Sequence, residues 1–170
     1  MREGRYAPGV EVRPLSDDDL EAALDLFEAV VAEGRWLATE PPVNRSEVRA
    51  RWRALVATGE GILLVAVDAA GAPAGLLALV GHEAPELGMA VRVDRRRQGV
   101  GDALVLAALA RARALGARSV VLQVFPHNTA AVALYRKHGF VPRGLVPGGV
   151  ARRSGERWDA LVMERELSAE

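Results

Sequence analysis

The chain of 170 residues contains no cysteine. Disulfides, thiolate zinc ligands and a cysteine nucleophile are therefore all excluded, so any acyl transfer must use another route. The chain also lacks an excess of charge of either sign, because 22 basic residues balance 22 acidic ones. A neutral chain has no overall attraction for nucleic acid or for an anionic membrane, and we expect neither as a partner.

No apolar run has the length and continuity of a membrane span. The apolar region from Gly61 to Gly81 is interrupted by Asp68 and Pro73, so a strand, a turn and a second strand are the better interpretation. The N-terminus lacks the apolar stretch of a secretory signal. We therefore expect a cytoplasmic protein that folds as one domain over residues 1–170, with residues 1–9 as a short tail.

Periodicity and breaker residues predict a mixed order of helices and strands. A pattern typical of a capping box, Asn44 followed by Glu47, marks the start of the second helix. We expect a single α/β domain with a central mixed twisted sheet of about six or seven strands, flanked by about four helices. Helices are expected near residues 17–32, 45–58, 101–115 and 128–137, and strands near 10–13, 62–67, 74–80, 87–93, 119–124, 141–152 and 157–165.

Residues 91–101 place a strand, a basic turn with glycines and a helix start in immediate succession. Gly99 and Gly101 let the backbone approach a ligand closely, and the unpaired N–H groups at a helix start attract anions. Three arginines at 95–97 add local positive charge, which suits a pyrophosphate or a ribose phosphate. A solvated turn, with glycines that only shape a tight connection, is the alternative.

Two common nucleotide sites do not fit this turn. The Gly-Lys-Ser or Gly-Lys-Thr of a P-loop is lacking, and so is the third glycine of a Gly-x-Gly-x-x-Gly fingerprint. NTPases and dehydrogenases are therefore disfavoured. A nucleotide-binding protein of another class stays as an alternative that tight ATP or NAD binding would support.

The segment Arg96-Arg-Gln-Gly-Val-Gly101 resembles the acetyl-CoA signature of the GNAT (general-control-related) N-acetyltransferase superfamily. That signature is an Arg or Gln, two residues, Gly, one residue, and Gly or Ala. Val93 stands where the family often has proline, and Arg97 where it often has glycine. Neither departure removes a backbone N–H group that the ligand needs.

A second block resembles the same family. Asn128, the pair Leu134-Tyr135 and the pair Gly139-Phe140 recur at the family's intervals. Together the two blocks cover about residues 87–140, which the resemblance identifies as the acyl-CoA-binding core. The order of the flanking elements also matches the family, so the resemblance spans nearly the whole chain.

The resemblance implies acetyl-CoA as the donor cosubstrate, and no metal. Strand N–H groups would pair with the pantetheine arm, those of the turn would hold the pyrophosphate, and an asparagine would add a further contact. The implied CoA-binding residues are Met89, Ala90, Val91, Arg96, Arg97, Gln98, Gly99, Val100, Gly101, Asp102 and Asn128. For Asn128, a helix N-cap without any ligand is an interpretation that needs no CoA.

Tyr135 is the predicted general acid. When an amine attacks a thioester, the leaving thiolate must be stabilised or protonated, and a phenol with an ordinary pKa of about 10 is a competent donor. A strand N–H near Val91 would stabilise the oxyanion. Because cysteine is absent, direct attack in a ternary complex is preferred. An aromatic side chain that packs beside Leu134 and Phe140 is the alternative for Tyr135.

A base or a water chain has to deprotonate the incoming ammonium group. Glu86 is the first candidate, just before a strand expected to be bulged, and Glu83, His82 and Glu40 are others, although each also suits a solvated loop. Trp36 and Glu40 lie where the family builds its acceptor pocket, so they are the predicted acceptor-binding residues. Glu40 would attract a cationic amine, whereas Trp36 is alternatively a core anchor for its loop.

These patterns predict an acetyl-CoA-dependent N-acetyltransferase that acts on a primary amine. A small-molecule amine or amino acid is the favoured acceptor, and a protein N-terminus or lysine is the alternative. A non-catalytic acyl-CoA sensor is a further alternative, which would need the turn but not Tyr135. By analogy with the family, the final hairpin closes the acceptor side, often next to a partner subunit, and we expect a homodimer.

Overall fold

The computed structural model describes residues 9–167 of the chain. The predicted tail, residues 1–9, therefore lies outside the described residues except for Gly9. Within the described range, seven strands and four α-helices confirm the predicted α/β class. They are β1 Glu11–Pro14, α1 Leu20–Ala32, α2 Arg45–Ala57, β2 Gly61–Val67, β3 Pro73–Val80, β4 Glu86–Val91, α3 Val100–Ala114, β5 Ser119–Val124, α4 Thr129–Lys137, β6 Val141–Ala151 and β7 Arg157–Glu166.

The strands form one mixed sheet in the order β1-β2-β3-β4-β5-β7-β6. β4 and β5 are parallel, whereas the other neighbouring pairs are antiparallel. β4 and β5 pair at one register position, Glu86 opposite Val121. Since no later position of β4 pairs with β5 in the described residues, the two strands separate and leave a gap between their facing edges.

The structure differs from the sequence prediction along β4. This strand pairs with β3 one residue to one residue, from Val80 opposite Glu86 to Gly75 opposite Val91, so the prediction of a bulge is wrong. β4 also ends at Val91 instead of residue 93, because Val93–Arg95 forms a 3-10 turn. The opening beside β4 comes from its divergence from β5 and not from an extra residue.

Each face of the sheet is covered by its own helices. Leu104 of α3 and Tyr135 of α4 belong to one core cluster, which also contains Leu87. Val30 of α1 shares a second cluster with Ala90. Because side chains alternate along a strand, β4 contributes to both cores and presents its odd-numbered side chains to α3 and its even-numbered ones to α1.

Candidate active site

A cavity of about 780 Å³ lies in the gap between β4 and β5. Its walls come from these two strands, the turn before α3, the first turns of α4, the loop after α1 and the β6–β7 hairpin. The gap lies between the carboxyl-terminal parts of the two parallel strands. Open α/β sheets bind ligands near the carboxyl ends of their strands.

Backbone groups of β4 line one edge of the gap. The N–H of Arg92 donates to the carbonyl of Ala74 on the β3 side, at 2.9 Å. Since N–H groups point alternately to the two sides of a strand, the N–H of Ala90 also faces β3, whereas those of Met89 and Val91 face the gap. Met89 and Val91 therefore present the hydrogen-bond donors, and Ala90 forms part of the wall.

The turn before α3 holds a series of unpaired N–H groups. Those of residues 97–102 have no hydrogen-bond acceptor among the described residues, and the helical ladder begins with Ala103 N–H to Gly99 O at 3.0 Å. Gly99 has φ 84°, in the left-handed region. Gly101 lies so close to Leu134 that a Cβ would come within 2.8 Å of it. The two glycines thus shape a turn whose unpaired N–H groups, at the positive end of the helix dipole, suit an anion.

The arginines of this turn differ in what they contact. Arg95 donates to Asp68 at 2.8 Å, so its charge is shared with a loop carboxylate. Arg97 lines the cavity with an exposed side chain and has a left-handed backbone, φ 60°. A side chain in this conformation costs about 1 kcal/mol relative to glycine, which is the residue that the GNAT signature often has here.

Arg96 stabilises the turn with its whole guanidinium group. Its Nη atoms donate to the two carboxylate oxygens of Glu33 at 2.8 and 2.6 Å, and its Nε donates to Val91 O at 3.0 Å. The hydrogen bonds from Arg96, with one from Trp36, lower the pKa of Glu33 below its ordinary value, although burial of the carboxylate acts to raise it. The guanidinium of Arg96 is thus bonded within the protein, and its backbone N–H donates to Val93 O at 3.5 Å. The contact of Arg96 with CoA stays a prediction.

Three further predicted residues of the turn use their side chains for structure. Gln98 donates to a backbone carbonyl of the turn at 2.9 Å, and Val100 is buried in the core. Asp102 accepts hydrogen bonds from Lys137 and His138 of the α4 C-terminus, at 2.7 and 2.8 Å. Burial opposes ionisation of Asp102, but these two bonds outweigh it and lower its pKa. The backbone N–H groups of all three residues are unpaired within the described range and are available to a ligand.

Asn128 begins α4, and its Oδ1 accepts a hydrogen bond from Ala131 N–H at 3.3 Å. The N-cap interpretation is therefore confirmed. Asn128 also lines the cavity, on the side opposite β4. One residue thus fixes the helix start and stands where the predicted contact with CoA would be made.

Tyr135 both packs in the core and lines the cavity, as its two interpretations require. Its ring lies 5.6 Å from that of Phe140, and only 6% of the residue is exposed. No hydrogen-bond partner for its hydroxyl is found within residues 9–167. Burial raises the pKa of Tyr135 well above its ordinary value. The phenol is therefore protonated at neutral pH, and its O–H is available to a ligand.

Of the four candidate bases, the structure brings Glu86 into the cavity wall. Glu83 instead accepts from Arg118 in an exposed ion pair, at 2.7 Å, and His82 lies beside a smaller separate cavity. Glu40 also lies outside the walls of the main cavity. Glu86 is thus the candidate that can reach an amine next to β4.

The two predicted acceptor residues have different surroundings. Trp36 lines the cavity, and its Nε1 donates to Glu33 at 2.6 Å. Glu40 accepts from the N–H of Arg153 at 2.9 Å and lies 3.4 Å from Nε of Arg152. Because these groups from the final hairpin neutralise and hold its carboxylate, Glu40 fastens the loop and is not placed to attract an amine.

Arg152 is the structural residue that sequence reasoning missed. Its side chain is 3% exposed and lies 4.1 Å from the ring of Trp158. It donates to the carbonyls of Leu37 and Ala38 at 3.1 and 3.2 Å, and so holds the loop after α1 against the final hairpin. Its partners are more than a hundred residues away in sequence, and no local pattern indicates them.

Two kinds of feature are absent from the described range of the chain. None of its helices has the length and apolar content needed to cross a membrane. No group of three or more metal-ligating side chains is found between residues 9 and 167.

Comparison with known proteins gives consistent results. The model of the acetyltransferase (GNAT) family matches residues 24–140. YwnH of Bacillus subtilis is 32% identical over 157 residues, which cover 88% of this chain and 94% of YwnH. The L-methionine sulfoximine/L-methionine sulfone acetyltransferase of Pseudomonas paraeruginosa is 31% identical over 164 residues, which cover 92% of this chain and 94% of that enzyme.

Solved structures show the same fold. A GCN5-related N-acetyltransferase from Kribbella flavida is 28% identical, with a TM-score of 0.83 and coverage of 94% of this chain and 99% of that one. A phosphinothricin acetyltransferase from Sinorhizobium meliloti, solved in complex with AcCoA, is 23% identical, with a TM-score of 0.84 and coverage of 94% and 89%. With the family model and the relatives, these likenesses confirm the predicted enzyme class, and the chain belongs to the GNAT family of acetyltransferases.

Proposed function

We propose that this enzyme transfers the acetyl group of acetyl-CoA to the amine of a small molecule, by direct attack in a ternary complex. The observation that carries the proposal is the run of unpaired N–H groups at residues 97–102 beside a cavity that also contains Glu86 and Tyr135. The relative from Pseudomonas paraeruginosa is named for small amino acid derivatives, which supports a small-molecule acceptor over a protein.

The residues present fit acetyl-CoA. The unpaired N–H groups of residues 97–102 suit a pyrophosphate, and the exposed guanidinium of Arg97 adds a mobile cation. The N–H groups of Met89 and Val91 suit the amide-bearing pantetheine arm, which would run along the unpaired edge of β4. Asn128 faces them across the cavity and would contribute from the α4 side.

Three groups of the chain would serve the chemistry. Glu86 accepts a proton from the ammonium group, directly or through water, and so frees the amine for attack. One of the two gap-facing strand N–H groups, that of Met89 or of Val91, stabilises the oxyanion that forms on the thioester carbonyl, and the other pairs with the pantetheine arm. Tyr135 donates its O–H to the leaving sulfur. As its raised pKa exceeds that of an ordinary thiol, about 8.5, the phenol keeps its proton and stabilises the leaving thiolate by a hydrogen bond. The thiolate then takes the second proton of the attacking nitrogen, through water, as the amide forms.

A homodimer and a cytoplasmic location complete the proposal. β6 is the edge strand of the sheet, and Leu145 and Val146 on it are 50% and 46% exposed, which supports an association of two copies at this edge. Acetyl-CoA is an intracellular metabolite, which supports the location. Light scattering of the purified protein tests the dimer directly.

Calorimetry of acetyl-CoA binding tests the donor site. We expect binding in the micromolar range and a loss of about tenfold or more in Gly99→Val, because the turn requires a left-handed backbone and a close approach. Gly116→Val is the matched control, since Gly116 has φ 78° at the opposite end of α3. Absence of acetyl-CoA binding to the unaltered protein, or equal loss in both variants, contradicts the proposal.

A further inference from the structure

The cavity has a part that the donor residues do not line, here called the acceptor chamber. Side-chain alternation places Glu86 and Gly88 on the face of β4 that α1 covers, opposite the face of the buried Leu87. The same alternation places Gln123 and Phe125 of β5 opposite the buried Val124. The acceptor chamber is lined by Trp36, Leu37, Glu86, Gly88, Gln123 and Phe125, with Val150 and Ala160 at the hairpin.

The charge that lines the acceptor chamber is negative. Glu86 is its single charged lining residue in the described part of the chain, and Gln123 is its neutral polar one. The arginines that line the cavity belong to the turn before α3. Arg96 lies nearest to the acceptor chamber, and its guanidinium is already paired with Glu33, which also accepts from Trp36. A positively charged amine thus meets a carboxylate and otherwise apolar walls, whereas a second, negatively charged group meets no counter-ion.

The basic side chains nearest to the acceptor chamber are either bonded to protein groups or lie outside its lining. Arg152 is buried and bonded to backbone carbonyls, and Arg35 lies with its guanidinium 4.7 Å from the Trp36 ring, outside the lining. His127 stacks on Phe125 at 5.3 Å, and its Nε2 lies 2.7 Å from Arg35 O. Because a carbonyl can only accept, this Nε2 donates to it and is not available to an anion.

Gly88 adds space to the acceptor chamber. A Cβ built on Gly88 would meet no atom within 4 Å, so the centre of β4 is open towards the chamber. With Trp36 and Phe125 on other walls, this opening suits a flat or bulky apolar group.

From this charge and shape we infer that the acceptor is a primary amine on an apolar, preferably aromatic body, without a carboxylate. The inference rests on the proposed function and narrows its substrate class. It distinguishes this chain from the relative of Pseudomonas paraeruginosa, because methionine sulfoximine carries a carboxylate that the acceptor chamber would leave unpaired.

Three matched acceptors test the inference. The three acceptors share one aromatic amine skeleton and differ in the group on the carbon that bears the amine. Phenylethylamine has no added group, L-phenylalaninamide has a neutral amide, and L-phenylalanine has a carboxylate. We expect kcat/KM to be about a hundredfold higher for phenylethylamine and for the amide than for phenylalanine, because an uncompensated charge in an apolar site is costly. Equal use of phenylalanine, or rejection of the amide as strongly as the acid, overturns the inference.

Gln123→Arg supplies the missing cation. We expect it to raise the ratio of kcat/KM for phenylalanine to kcat/KM for phenylethylamine about tenfold.

Gly88→Leu fills the opening, and we expect it to raise KM for phenylethylamine about tenfold without changing acetyl-CoA binding. Gly144→Leu is its matched control, since Gly144 is also a strand glycine with no atom within 4 Å of its would-be Cβ. No change of specificity in either chamber variant contradicts the assigned lining.

Failure of the inference is distinguishable from failure of the proposed function. If amino acids, methionine sulfoximine included, are acetylated better than the carboxylate-free amines, the enzyme is an N-acetyltransferase and the inference is wrong. If acetyl-CoA binds and no amine of the series is acetylated, the inference is also wrong, while the donor site stands. If acetyl-CoA does not bind, the proposed function itself fails.

Discussion

The two halves of the cavity are built from different groups. The donor half presents mainly backbone N–H groups, at residues 97–102 and on the free edge of β4. The acceptor chamber presents side chains, from Trp36 and Glu86 to Phe125. A backbone site needs glycines and a helix start at fixed spacing, so a sequence motif marks it. A side-chain site has no fixed spacing, and its specificity changes with single substitutions.

Loss of the Tyr135 hydroxyl gives the largest expected effect. Tyr135→Phe keeps the ring that packs on Phe140 and removes the O–H that faces the cavity. We expect kcat to fall by at least about a hundredfold, since one preorganised hydrogen-bond donor to a developing anion contributes about 10²–10³-fold to kcat. Acetyl-CoA affinity should be unchanged by calorimetry. An unaltered kcat would mean that Tyr135 serves packing alone. Absence of turnover in both the unaltered enzyme and Tyr135→Phe would instead favour the non-catalytic acyl-CoA sensor.

Substitution of Glu86 tests the acceptor half. Glu86→Gln removes the charge that lines the acceptor chamber, and we expect kcat/KM for amines to fall by about a hundredfold, with the deficit shrinking as pH rises towards the pKa of the amine. Glu83→Gln, in an exposed ion pair nearby, is the control and should have little effect. Comparable losses in both variants would contradict the choice of Glu86 as base.

The loop that carries Trp36 depends on Arg152. Arg152→Leu removes the bonds to Leu37 and Ala38 and leaves the Glu40 carboxylate without its buried partner. We expect KM for the acceptor to rise about tenfold, while acetyl-CoA affinity stays within a factor of two. Steady-state kinetics and calorimetry separate these effects. Equal weakening of donor and acceptor would show that the halves are not independent.

Arg97→Gly is expected to act in two opposite directions. Because Arg97 has a left-handed φ of 60°, its replacement by glycine relieves backbone strain worth about 1 kcal/mol of the free energy of unfolding. The greater conformational entropy of glycine in the unfolded chain offsets part of this gain. The lost cation should weaken acetyl-CoA binding a few-fold, more at low salt. Denaturant titration and calorimetry at two ionic strengths measure both. Unchanged affinity at low salt would exclude Arg97 from the donor site.

The smallest expected effect is the absence of an alkaline decline. A phenol of ordinary pKa would lose its proton at about pH 10, but burial raises the pKa of Tyr135 well above that. The protonated, active form therefore persists, and kcat should not fall between pH 8 and about 10. A decline centred near pH 10 that Tyr135→Phe abolishes would show that the hydroxyl is better solvated than its burial indicates.

Sequence reasoning predicted the elements that local patterns determine. Most helix and strand limits, the caps at Asn44 and Asn128, and the tight turn with Gly99 follow from periodicity and short-range hydrogen bonds, although β4 ends two residues before its predicted limit. It failed where contacts join distant segments. The role of Glu40 depends on Arg152, which is more than a hundred residues away, and the opening beside β4 depends on the path of β5.

The divergence of β4 from β5 also bears on stability. In a continuous sheet these two strands would pair along their length, yet here they share one register position. A ligand whose amides occupy the gap would supply hydrogen bonds that the two strands do not make with each other, and would act as an added strand in the middle of the sheet. The folded state should then be measurably more resistant to heat with its cosubstrate, by about 2.7 kcal/mol at a hundred times Kd. Thermal denaturation would thus report the supply of donor as well as the integrity of the fold.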